Sequence, residues 1–267
     1  MILIVAVATL IVSASLYRRA EWITTLSPWE DGRLSYIFLA SMSAAFAGVL
    51  LWIARSGDLS GWKGAALDGG LSFPLIAIAL VVIGIRDDNG EALFAATGAA
   101  SVGLIFLAIL IWTHHTPFVD RRPVPRLVRI SFAIFVVGLV TAGSGLLLRA
   151  EHIFPWPLKP ESSVIFGLLF AGSAAYYAYG FARPVWSNAY GQLAAFLAYD
   201  LVLIVPFARH FDDVQPAHRL SLIVYMAVLC YSGLLAGYYL FVDPDARLWH
   251  RRQAPLTVEA DVAANRF

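Results

Sequence analysis

The apolar positions of this chain gather in eight long runs, and the polar ones lie almost entirely between them. The runs cover 2–17, 35–54, 65–85, 92–112, 127–148, 163–182, 189–207 and 219–242. Each is close to the roughly 20 residues that a helix needs to cross the hydrocarbon core of a bilayer. Each is apolar nearly all round, which separates a span from an amphipathic surface helix. The connections are short. The pattern therefore predicts one all-α, polytopic transmembrane bundle of seven or eight spans over residues 1–242. A polar C-terminal tail follows over 243–267, where Asp243-Pro244-Asp245 stops the last helix. The count is seven or eight because the first run reads two ways. It is a retained span, or a signal sequence with Ser13-Ala14-Ser15 as its cleavage site.

Spans two to four and spans five to seven have similar lengths. Each set carries a Trp in the loop after its first helix, at Trp62 and at Trp156. That is the pattern of a three-helix inverted repeat, an arrangement common in transporters.

Composition sharpens the picture. Apolar residues make up 60% of the 267 and charged ones 14%, against about 25% charged in a soluble protein. A formal net charge of +1 gives no electrostatic case for nucleic acid, so the lipid bilayer is the expected partner. The single cysteine, Cys230, excludes an internal disulfide and reads as apolar packing. Gly233-Leu234-Leu235-Ala236-Gly237 is a GxxxG, and Ala99 and Gly103 form a second small pair. Both let helices approach closely, within the bundle or against a second copy or another membrane protein.

Candidate chemistry centres on Asp200, which lies well inside span seven. A carboxylate in hydrocarbon costs at least about 2.5–3.5 kcal/mol, so it is expected to face other helices and to glue them or carry protons. Its own helix offers only Leu193, Phe196, Leu197, Ile204 and Phe207 on the same stripe. Span six offers Ser173, Tyr176, Gly180 and Arg183 on one face, so a hydroxyl of Tyr176 or Ser173 is the expected partner. Asp68, near the start of span three, reads as a helix cap. Pro155, Pro157 and Pro160 remove donors and forbid a helix around Trp156, whose ring is expected half-wet at headgroup level. His152, His210 and His218 fall on one side with Glu151, Asp212 and Asp213. They are weak candidates for a metal, because none has the tight helical spacing of a ligand pair. No cofactor is assigned, no Lys lies mid-span, and no phosphate loop or nucleophile elbow is present.

The segment Phe154-Pro155-Trp156-Pro157-Leu158-Lys159-Pro160 precedes a span carrying Gly167, Gly172 and Gly180. Arg183-Pro184-Val185-Trp186, Gly191-Gln192-Leu193 and Tyr199-Asp200-Leu201 follow. Over about residues 150–207 this resembles uncharacterised bacterial multi-pass membrane proteins with a Pro/Trp-rich loop before a glycine-containing span. The resemblance implies topology and a bacterial cytoplasmic (inner) membrane, and supplies no chemistry. With eight spans, 11 of the 19 Lys and Arg fall on the side of both termini and 8 on the other, which predicts a cytoplasmic C-terminus. The functional expectation is a non-enzymatic accessory or assembly protein. The alternative is a small-solute or proton-coupled transporter using Asp200. A membrane enzyme has least support, since no catalytic constellation is visible.

Overall fold

The computed structural model describes residues 1–244 and 246, so most of the tail lies outside the described residues. The helices are α1 (Ile2–Arg18), the single turn α2 (Glu21–Thr24), α3 (Arg33–Ser56), α4 (Trp62–Arg86), α5 (Gly90–Thr113), α6 (Arg126–Leu147), α7 (Pro160–Ala182), α8 (Trp186–His210) and α9 (Arg219–Gly237). A π turn over Tyr238–Val242 prolongs α9, and no strand is present among the described residues. Seven helical segments are long and apolar enough to cross a membrane, which makes this a multi-pass, all-α bundle. The eighth apolar helix, α1, has 17 residues and packs along α3.

The ends follow local chemistry. Asn89 caps α5 by accepting from the Ala92 amide at 3.0 Å. Gly57, with φ 68°, ends α3 in the left-handed conformation that glycine adopts without a Cβ penalty. Pro160 does not keep α7 from starting, as its lack of a donor had suggested. It is the first helical residue, where the amide would have no intrahelical partner anyway.

Packing follows a simple rule. Four antiparallel hairpins form, α1 with α3, α4 with α5, α6 with α7 and α8 with α9. Two more extensive interfaces, α3 with α8 and α4 with α7, join them. Helices α3, α4, α7 and α8 thus make the centre, and α1, α5, α6 and α9 flank it. This is not the packing of a three-helix inverted repeat in the expected register. There α3–α4 would match α6–α7, yet α3 and α4 scarcely touch while α6 and α7 run together. The flanking helices turn Leu104, Ile111, Val137 and Leu234 outward, the surface a bilayer requires. Cys230 is also exposed on α9 and does not pack in the interior as its apolar run had suggested.

As spans joined by short loops, the helices alternate in direction. One face carries Met1 and loops 57–61, 114–125 and 183–185. The opposite face carries loops 19–32, 87–89, 148–159 and 211–218. Under the opposite face lies an aromatic cluster of Phe38, Phe154, Phe166, Phe170 and Phe207. Trp156 belongs to it. Its ring is 5% exposed, not half-wet, and meets Phe154 edge-on with centroids 4.7 Å apart. The loop carrying Trp156 and Pro157 folds inward because partners wait for it. Trp156 Nε1 donates to Ser35 Oγ at 3.1 Å, so the indole is buried with its polar atom satisfied.

Candidate functional site

Asp200 lies midway along the 25 residues of α8 and is 4% exposed. It faces α9, where a Cβ added to Gly233 would stand 3.3 Å from Oδ2. The hydroxyl beside it, Ser232, donates instead to the Val228 carbonyl at 2.8 Å. Both carboxylate oxygens are buried without a hydrogen-bond partner. Tyr199, the chain neighbour of Asp200, places its hydroxyl 2.7 Å from that of Tyr225 on α9.

Asp68 is not a cap. A 3-10 turn over Leu59–Gly61 leads into α4, and Asp58 caps that turn by accepting from the Ser60 amide at 3.0 Å. Helix α4 begins at Trp62, so Asp68 stands well inside it, at the crossing with α7. Ser72, one turn on, donates to Asp68 Oδ1 at 3.2 Å and lies 3.3 Å from the Leu168 carbonyl of α7. Ser173 is the second hydroxyl neighbour of this carboxylate. The helices meet here because Gly172 has no side chain. A Cβ on it would stand 1.9 Å from Ser72 Oγ, 2.4 Å from Asp68 Oδ1 and 2.7 Å from the Asp68 carbonyl oxygen.

Ser173 and Tyr176 therefore come together at Asp68, on α4, and not at Asp200. Tyr176 lies one turn from Gly172, with its ring over Gly64 and its hydroxyl beside Gly191. That hydroxyl is buried and makes no hydrogen bond. Gln192 of α8 is fully buried, with Nε2 donating to the Tyr176 carbonyl at 2.6 Å. Its Oε1 is buried without a partner, as is Trp52 Nε1 of α3. Tyr177, next along α7, stacks on Phe196 at 4.5 Å and is within electrostatic reach of Asp68, Asp200 and Tyr176. The interior thus holds two carboxylates with aromatic hydroxyls between them, and neither carboxylate has an ion-pair partner among the described residues. Such a pair can take up and release protons where water is scarce.

The histidines fasten loops. His210 Nε2 bonds the Pro155 carbonyl at 2.9 Å, and His218 Nδ1 bonds that of Phe154 at 2.8 Å. The Ser221 hydroxyl donates to the His152 carbonyl. The rings of His152 and His218 lie 4.7 Å apart, while His210 sits on its own carbonyl. Among the described residues no three His, Cys, Asp or Glu side chains group as metal ligands.

Sequence reasoning missed the place of Asp68 and the role of Gln192. The signal was there: Asp68 and Ser72 are four apart, one above the other on a helix face. Gln192 is a lone amide in an apolar run. Comparison with protein-family models, with curated proteins and with solved structures gives no match.

Proposed function

We propose that this chain is a small-solute or proton-coupled transporter in which Asp200 and Asp68 carry protons through the bundle. The observation that supports it is the pair of carboxylates within the bundle, Asp200 buried and Asp68 partly buried, with no ion-pair partner among the described residues. Each costs about 2.5–3.5 kcal/mol or more in hydrocarbon. Helix packing alone gains little from such groups, since interhelical hydrogen bonds contribute only about 0.6 kcal/mol on average, and Asp200 makes none. We place the protein in a bacterial inner membrane with its C-terminus in the cytoplasm, on the excess of Lys and Arg on the terminal face, 11 against 8 with the four arginines of the C-terminal tail counted.

The test is infrared difference spectroscopy on the protein in lipid, stepped between about pH 5 and pH 9. A transporter of protons shows a protonated-carboxyl band that appears and disappears with external pH, part of which is lost in Asp200→Asn. Wild-type spectra with no carboxyl change would overturn the reading. A second reading, a non-enzymatic accessory or assembly protein, is favoured by one feature: Asp200 is closed in against Gly233 of α9. On that reading Asp200→Asn leaves both spectrum and function unchanged.

A further inference from the structure

The hairpin pattern repeats when helices are matched four apart: α1 with α6, α3 with α7, α4 with α8 and α5 with α9. Every major interface then falls on another, and the α3–α8 contact falls on α7–α4. Five pairs of local contacts obey the same matching. Leu16 and Leu146 each precede an Arg-Ala-Glu that leaves the helix through a left-handed arginine, Arg19 at φ 53° and Arg149 at φ 56°. Both turns close with the same two backbone bonds, Arg19 to Leu16 with Ala20 to Ser15, and Arg149 to Leu146 with Ala150 to Gly145. Ser13 donates to the Ala40 carbonyl of α3, and Gly143 rests on the Gly167 carbonyl of α7.

The tryptophans are reciprocal. Trp29 Nε1 donates to Ser162 Oγ at 2.8 Å, and Trp156 Nε1 donates to Ser35 Oγ at 3.1 Å. Each Trp follows a proline and stands four residues before its central helix, and each bonds the other half's helix. In the flanking pairs, Gly103 of α5 packs on Pro74 of α4, and Gly233 of α9 packs on Asp200 of α8. Both central crossings are also closed by a glycine, one helical turn apart in the register that the tryptophans set, Gly48 thirteen residues after Ser35 and Gly172 ten after Ser162. Gly48 of α3 sits over Ala194 and Ala198 of α8, its added Cβ 2.7 Å from the Ala194 carbonyl oxygen. Gly172 of α7 sits over Asp68 and Ser72 of α4, its added Cβ 2.7 Å from the Asp68 carbonyl oxygen. The two halves thus share one pattern of helix contacts.

The two crossings separate packing from chemistry. They reach the same backbone approach, 2.7 Å from an added Cβ to a carbonyl oxygen, one over two alanines and the other over an aspartate and a serine. A crossing of that closeness does not need a polar pair. We infer that Asp68 and Ser72 are a proton-binding site set into one of two equally close helix crossings, with Asp68 taking the proton and Ser72 orienting the carboxyl group. The proton comes from water and forms the Asp68 O–H bond, and its release restores the carboxylate. The site rests on the transporter reading for its use, while its dispensability for folding rests on the comparison of the two crossings alone.

The experiment is the double variant Asp68→Ala/Ser72→Ala, which gives the α4–α7 crossing the residues of the α3–α8 crossing. It is purified in detergent and in lipid and compared with wild type by thermal unfolding and by the pH-stepped infrared difference spectrum. The expected result is a melting temperature equal to or above wild type, with loss of one part of the carboxyl band, a part distinct from the one Asp200→Asn removes. A double variant that melts lower or fails to insert shows the pair to be packing and overturns the inference, whatever the protein transports. A double variant that keeps the whole band overturns it too. If wild type itself shows no band, the transporter reading and the proton site both fall, and the melting comparison still decides whether the crossing needs the pair.

Discussion

Replacing Gly172 by alanine puts a methyl group where three oxygens already meet. The new carbon would stand 1.9 Å from Ser72 Oγ, 2.4 Å from Asp68 Oδ1 and 2.7 Å from the Asp68 carbonyl oxygen. The first two can swing aside by side-chain rotation, at the loss of the bond between them. The third is backbone and moves only if α4 and α7 separate. Overpacking of this kind costs about 1–3 kcal/mol, and the better helix propensity of alanine returns about 1 kcal/mol. The net expectation is a loss of up to about 2 kcal/mol. Gly98 and Gly138 are internal controls, since an added Cβ at either meets nothing within 4 Å. There the same substitution keeps only the propensity gain, so the sign reverses. Equilibrium unfolding in mixed detergent micelles, followed by circular dichroism, gives the free-energy differences. In the Asp68→Ala/Ser72→Ala background two of the three clashes vanish and the cost of Gly172→Ala shrinks without reaching zero, a measurable coupling between neighbours. Equal stabilities for Gly172→Ala and Gly98→Ala would refute the close approach at this crossing and the reasoning built on it.

Gly48→Ala is expected to destabilise by a similar amount, up to about 2 kcal/mol, because its Cβ would meet the Ala194 carbonyl oxygen at 2.7 Å; unfolding of the single variants checks it. Trp29→Phe and Trp156→Phe each remove one indole hydrogen bond and are expected to cost about 0.5–1.5 kcal/mol apiece. Trp156→Phe stands at the upper end, because its ring is the more deeply buried, 5% exposed. Gly64→Ala is expected to displace the Tyr176 ring, whose Cε2 would be 2.5 Å from the new carbon, and to change the near-ultraviolet dichroism of the tyrosines. A reporter active only in the cytoplasm, fused after Phe267, is expected to give signal; one active only outside working there instead reverses the orientation.

The bundle was legible because a span is written in some twenty consecutive positions, so that one wrong residue changes little. The ends were legible to within three residues, and the misses matter where a role depends on them. Starting span three at residue 65 left Asp68 in the first turn, where a carboxylate caps. The helix starts at Trp62 behind a capped 3-10 turn, which carries Asp68 inside. Trp156 was misplaced because the preference of tryptophan for headgroups is an average over sites. Its partner, Ser35, is far away in the chain and invisible to any local window. The repeat was sought in the spacing of tryptophans and in helix lengths. The contact pattern repeats instead between helices four apart, with Arg-Ala-Glu at 19–21 and 149–151 and Pro-Trp at 28–29 and 155–156, which a pairing of spans two to four with five to seven passes over.

The crossed tryptophan bonds have a bearing on how such a chain came to be. If α1 crosses together with the seven longer helices, a unit of four spans returns to the side of the membrane it left, and two copies insert with the same orientation. Each could reach across to the serine of the other as separate molecules. Joining them asks only for a loop on the terminal face, with no added span and no flipped copy, and loop 114–125 lies there. A gene for one half would then encode a symmetric dimer held by two identical indole–hydroxyl bonds.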